Sequence, residues 1–89
     1  MIQAKLNSNV TVKLHAHSNN GYLWYPIATP SLELIHDYKQ PLENYNGCMQ
    51  VFVFRTTQVG HTRIELQYKR PWDTQVLKVH IEEIFITTP

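Results

Sequence analysis

Apolar residues recur at every second position along most of this 89-residue chain. That period is typical of a β-strand with one buried face, whereas an amphipathic helix repeats its apolar residues at intervals of three and four. No segment of ten or more residues shows a convincing helical interval. The alternation therefore argues against a helical bundle and predicts an all-β domain.

Six runs have the composition and period of strands, and residues 2–6 could add a short edge strand. The run from Met49 to Phe54 is apolar on both faces, which predicts a strand in the middle of a sheet. In the last run the apolar residues change phase, which predicts a β-bulge at Glu82–Glu83. The expected strands lie near 9–17, 22–26, 32–39, 49–56, 62–69 and 76–86.

Short strands at close spacing, with no helix to cover a sheet, predict an immunoglobulin-like sandwich of two antiparallel sheets with about six to eight strands. If successive strands run antiparallel, their connections alternate between the two ends of the sandwich. The first, third and fifth connections then share one end and form a composite surface. Their sequences are SNNG, QPLENYNG and RPWDT.

The composition indicates one folded domain over residues 1–89. Hydrophobic residues make up 43% of the chain, and its eight basic and seven acidic residues are interspersed. No basic face is therefore expected for nucleic acid, and no apolar run is long enough to span a membrane. No secretory signal is visible. We expect a monomer that is cytoplasmic unless a targeting segment has been removed.

The cysteine and the histidines do not indicate a catalytic or metal site. Cys48 is the single cysteine, so no internal disulfide can form and the core must stabilise the fold alone. The five histidines lack the spacing of a zinc site, and solvent-facing histidines are common on strands. No nucleophile is accompanied by an apparent orienting acid or amide. We expect no enzyme activity, metal or cofactor.

Two short motifs resemble the chagasin family of cysteine-protease inhibitors. The sequence glycine, aromatic residue, any residue, tryptophan occurs at 21–24, and Tyr-x-Arg-Pro-Trp occurs at 68–72. The family's first loop has Asn-Pro-Thr-Thr before that glycine, and this chain replaces it with residues 17–20. The resemblance covers nearly the whole chain, with a shortened N-terminal strand.

The middle loop departs further from the family sequence Gly-x-Gly-Gly. Of its final glycine pair only Gly47 is kept, with Cys48 beside it and Tyr45 where a glycine is usual. These differences concern the affinity and the choice of protease more than the fold.

The resemblance implies a sandwich whose three loops form a wedge that enters the active-site cleft of papain-like proteases. In the family, the wedge blocks the catalytic cysteine without being cleaved and needs no metal or cofactor. We therefore expect a tight-binding, noncovalent inhibitor whose partner is a papain-like cysteine protease. The alternative is an immunoglobulin-like module that binds another protein or a carbohydrate through the same loops. The expected protease-binding residues are Ser18, Asn19, Asn20, Gly21, Tyr45, Gly47, Cys48, Met49, Arg70, Pro71, Trp72 and Asp73.

The two tryptophans are expected to differ in role. Pro71 fixes its own φ and restricts Arg70, so Trp72 would be held on a turn and would lose little entropy on binding. A rigid, partly exposed tryptophan beside an arginine has the composition of an interface hot spot. Alternatively, Trp72 could cover the end of the core, and Arg70 could only pair with Asp73. Trp24 lies within a strand and is expected to be mostly buried.

Overall fold

The computed structural model describes residues 1–16, 21–42 and 47–89. Across these ranges the chain forms seven strands and no helix, so the all-β prediction is confirmed and no helix capable of spanning a membrane is found there. The strands are β1 (Ile2–Lys5), β2 (Asn9–Ala16), β3 (Leu23–Pro26), β4 (Leu32–Pro41), β5 (Cys48–Thr56), β6 (Gly60–Lys69) and β7 (Val76–Thr87).

The strands form two sheets with the orders β1-β7-β6-β3 and β2-β5-β4. All strand pairs are antiparallel except β1 and β7, which run parallel. β5 is the central strand of the smaller sheet, as its two-sided apolar sequence predicted. The short edge strand near the N-terminus is present as β1.

The core lies between the two sheets and is built from alternate residues of their strands. Ile64, Leu66 and Tyr68 of β6 are all buried, as their spacing predicted. Each fully buried aliphatic side chain contributes roughly 1.5–3 kcal/mol relative to an exposed one. The main buried cluster comprises Val10, Val12, Leu32, Phe52, Phe54, Ile64, Leu66, Ile84 and Ile86.

The bulge predicted in the last strand is wrong. β6 and β7 pair without interruption from Gly60 opposite Ile86 to Tyr68 opposite Lys78, so the register does not shift at Glu82–Glu83. The register shifts instead between Tyr68 and Lys69, where β7 has one additional residue.

The apolar residues of β7 therefore lie on both faces of the sheet. Ile84 and Ile86 point into the core and are fully buried. Val79 and Ile81 face outward and are 51% and 44% exposed, and Leu77 at the register shift is 50% exposed. The change of phase in the sequence therefore marks the point where the apolar residues of β7 move from the outer face of the sheet to the inner face.

The connections alternate between the two ends of the sandwich, as predicted. Cys48 at the start of β5 pairs with Ala16 at the end of β2 and with Pro41 at the end of β4. At the opposite end, the Thr57 amide donates to the Ser31 carbonyl at 2.9 Å and joins the β3–β4 and β5–β6 connections. We call the end that carries the β2–β3, β4–β5 and β6–β7 connections the loop end.

Candidate functional site

The β6–β7 connection contains a tight turn at the loop end. The Asp73 amide donates to the Arg70 carbonyl at 3.1 Å, which closes a four-residue turn with Pro71 and Trp72 at its centre. Proline is favoured at the second position of such a turn because its ring presets φ. The Gln75 amide then donates to the Asp73 carboxylate at 3.2 Å, which fixes the chain after the turn.

Trp72 projects from this turn and is 72% exposed. This exposure contradicts the alternative in which Trp72 covers the core. Its indole lies against Gly21. A Cβ atom at Gly21 would be only 2.6 Å from Cη2 of the ring. Gly21 also has a φ of +80°, which glycine adopts at little cost. The first and last loops therefore meet where only a glycine fits without strain.

The Arg70 guanidinium connects the two loops. Its Cζ lies 4.5 Å from the centre of the Tyr22 ring and 6.0 Å from that of Trp72. Its Nη2 donates to the Tyr22 hydroxyl at 2.9 Å, whereas its Nε is 4.0 Å from the Asp73 carboxylate. Arg70 thus contacts Tyr22 more closely than Asp73, and its position depends on the first loop as well as on its own turn.

Aromatic rings continue from the loop end into the sandwich. Tyr22 stacks on Tyr68 with the ring centres 5.5 Å apart, and Tyr68 lies 4.9 Å from Trp24. Tyr68 is buried and Trp24 packs against the core cluster. The half-buried Arg70 side chain and the exposed Trp72 indole are therefore anchored on rings that belong to the folded core.

Trp24 joins the two sheets beneath the loops, which confirms its assignment as mainly a core residue. Its indole Nε1 donates to the His15 carbonyl of β2 at 2.9 Å. Its backbone amide donates to the Gln50 side-chain oxygen at 2.7 Å, and the Gln50 amide donates back to the Trp24 carbonyl at 3.2 Å. β3 is an edge strand, so the buried Gln50 carboxamide takes the place of a neighbouring strand.

Gln50 was not singled out from the sequence. The available signal was a single polar residue within the apolar run of β5, because a buried amide needs hydrogen-bond partners. Those partners are backbone atoms of the other sheet.

The middle loop contributes residues from the smaller sheet. Cys48 is a free, half-buried thiol, and Met49 beside it is also half-buried. Gly47 precedes them with a φ of +147°. The structure thus brings Gly21, Arg70 and Trp72 together and places Gly47, Cys48 and Met49 at the same end. The other predicted site residues of the first and middle loops, Ser18, Asn19, Asn20 and Tyr45, lie outside the described residues.

The histidines of the larger sheet contact single carboxylates. His61 Nε2 lies 2.7 Å from a Glu83 oxygen, and His80 Nε2 lies 3.0 Å from a Glu82 oxygen. In the part of the chain that the structure describes, no group of three potential ligands could hold a metal ion.

A two-sheet sandwich that presents tryptophan and arginine from one loop packed against another has the architecture of a loop-based binding domain. The family model described as "Chagasin family peptidase inhibitor I42" matches residues 3–87. The chain belongs to this family of cysteine-protease inhibitors, so the resemblance found in its motifs is confirmed.

Two solved structures have the same fold. The crystal structure of the cysteine protease inhibitor EhICP2 from Entamoeba histolytica superposes with a TM-score of 0.82 at 22% identity, covering 96% of this chain and 83% of that one. The solution structure of Amebosin gives 0.67 at 23% identity, covering 99% and 87%. The comparison with curated proteins finds no match.

Proposed function

We propose that this protein is a tight-binding, noncovalent inhibitor of papain-like cysteine proteases and that its loop end occupies the active-site cleft. Family membership supports protease inhibition, and a structural relative is described as a cysteine protease inhibitor. The observation that carries the assignment to the loop end is the exposure of Trp72, which is 72% accessible on a proline-containing turn. A partner that covered this indole would remove most of its apolar surface from water, which favours binding.

The local geometry supports inhibition by occlusion. Gly21 has no side chain, and the Trp72 ring lies against its backbone, so the first and last loops meet without an intervening side chain at position 21. A surface with few side chains at this point can enter a narrow cleft. Arg70 contacts both Tyr22 and Trp72, which limits the motion that the turn must lose on binding.

The first and last loops supply Gly21, Arg70, Pro71, Trp72 and Asp73 to the proposed contact surface. Gly47, Cys48 and Met49 would extend it on the smaller sheet. Ser18, Asn19, Asn20 and Tyr45 remain predictions from the sequence and the family resemblance.

A panel of papain-like, serine and metalloproteases tests the proposed class of target. We expect stoichiometric inhibition of papain-like enzymes and none of the others. Binding without inhibition of any papain-like protease would instead support a general interaction module.

The noncovalent mechanism is tested separately with papain that carries a small alkyl group on its catalytic cysteine. Because the loops act by filling the cleft, the blocked enzyme should still bind measurably in a calorimetric titration. Cleavage of the inhibitor, or its covalent attachment to active papain, would contradict occlusion.

A further inference from the structure

One edge of β7 has no partner strand along its first half among the described residues. β1 pairs with β7 only from Ile84 to Thr87. Among the described residues, no strand pairs with the same edge between Val76 and Glu83. A free strand edge presents unpaired N–H and C=O groups and can accept another strand.

The backbone groups on this edge can be assigned from the pairing around them. The Leu6 amide donates to the Thr87 carbonyl at 2.8 Å, so Thr87 directs its backbone groups toward the β1 side. These groups alternate between the two edges of a strand, and β7 pairs regularly with β6 from Lys78 onward. Val79 and Ile81 therefore direct their amides and carbonyls toward the free edge.

The side chains along the same segment form two rows. On the outer face, Val79 and Ile81 are 51% and 44% exposed, and Glu83 separates them from Phe85, which is 44% exposed. On the inner face, Lys78 and Glu82 lie on either side of His80. Each row can face its own counterpart across a two-fold axis.

We propose that two copies of this chain associate through β7, paired antiparallel about a two-fold axis at His80. Lys78 of each copy then lies opposite Glu82 of the other copy on the inner face. On the outer face, Val79 lies opposite Ile81 of the second copy. Opposite charges and apolar side chains directly across an antiparallel pair both stabilise it.

The length of the free edge favours this axis. The segment is limited by the register shift beside Leu77 and by β1, whose pairing begins at Ile84. The midpoint of Leu77–Glu83 is His80. An axis at Val79 would also fit the edge, but it would place Lys78 opposite His80 and would lose both opposite-charge pairs.

Both charged side chains also have contacts within one copy. Lys78 Nζ lies 5.8 Å from the Tyr68 ring centre, and a Glu82 oxygen lies 3.0 Å from His80 Nε2. Inward-pointing charges on an edge strand can also prevent strand pairing. That role predicts a monomer at every concentration, which is also the expectation stated in the sequence analysis. Measuring the oligomeric state therefore distinguishes the two roles.

The pairing leaves the loop ends free. β7 begins at the loop end, so antiparallel pairing directs the two loop ends in opposite directions. The dimer would carry two independent copies of that surface, and its formation does not depend on whether the surface binds a protease.

Charge exchange with sedimentation velocity tests the pairing and its register. The wild-type chain should change from monomer to dimer over roughly 10 µM to 1 mM, as for a weak complex. Lys78→Glu and Glu82→Lys should each weaken association by about tenfold or more, because like charges then meet across the axis. An equimolar mixture of the two variants should associate as tightly as wild type, since every altered side chain then faces its opposite charge.

Lys13→Glu is the matched control, because Lys13 is an exposed lysine on β2 in the other sheet. It should leave association unchanged, and thermal melts should show that all three variants fold. A wild-type monomer across the whole range would overturn the proposal, as would a mixture of folded variants that does not recover association.

A cysteine scan in the Cys48→Ser background locates the axis. His80→Cys should form a disulfide-linked dimer on mild oxidation, because the two Cα atoms would be about 4.5 Å apart in a non-hydrogen-bonded pair. Crosslinking through Val79→Cys but not through His80→Cys would contradict the proposed register.

Discussion

Replacing Gly21 with alanine tests whether the contact between the first and last loops positions Trp72. At a φ of +80° an alanine costs about 1–3 kcal/mol of backbone strain. Its Cβ would lie 2.6 Å from Cη2 and 3.2 Å from Cζ2 of the indole, where ordinary carbon contacts begin at about 3.5 Å. Because the ring is exposed, it can move into solvent. The clash should therefore add little to the loss of stability but should displace the ring.

Gly60→Ala is the matched control. Gly60 has a φ of +130°, and a Cβ there would meet no described atom within 4 Å. In urea melts both variants should lose about 1–3 kcal/mol of unfolding free energy. Only Gly21→Ala should weaken inhibition of a papain-like protease, by about 2 kcal/mol or roughly 30-fold. In a Trp72→Ala background it should cause no further loss. Equal inhibition by the two glycine variants would refute the positioning argument.

Three further substitutions and one control address the core beneath the loops and the middle loop. Trp24→Ala should lower the unfolding free energy by about 3 kcal/mol. This value is at the lower end for a large aromatic side chain because the ring is only partly buried. A loss below about 1 kcal/mol in urea melts would contradict its core role. Gln50→Ala should cost about 1–3 kcal/mol because it leaves backbone groups of Trp24 unpaired. Gln67→Ala on the outer face should cost at most about 0.5 kcal/mol, and equal losses would argue against that pairing. Cys48→Ser should inhibit within about tenfold of wild type, or ~1.4 kcal/mol, and complete loss of inhibition would mean that the thiol carries the mechanism.

The strands were predictable because a strand with one buried face has an apolar residue at every second position. From Ile64 to Tyr68 every second residue of β6 is buried, and the period alone identifies Ile64, Leu66 and Tyr68 as core. The same reasoning failed for β7, where it assumed that all alternating apolar residues face the core. Val79 and Ile81 face outward, and a sequence pattern does not distinguish a shifted phase from an exposed apolar row.

The candidate site was predictable where it depends on local chemistry. Pro71 signals a turn, and a tryptophan that follows it is placed at the surface. The contacts that position the indole depend on which loops meet, so the approach of Gly21 and the Arg70–Tyr22 hydrogen bond became apparent only in the folded chain. The role of Gln50 likewise depends on β3 being an edge strand, which no local signal reports.

Trp72→Ala tests the central claim most directly, because that claim assigns Trp72 to binding and not to the core. Inhibition constants against a papain-like protease should weaken by roughly 2–4 kcal/mol, while the unfolding free energy should change by about 1 kcal/mol or less. Val59→Ala, at an exposed apolar residue beyond β5 at the opposite end, should change neither quantity. If Trp72→Ala inhibits as well as wild type, or unfolds as readily as Trp24→Ala, the loop end is not the inhibitory surface described above.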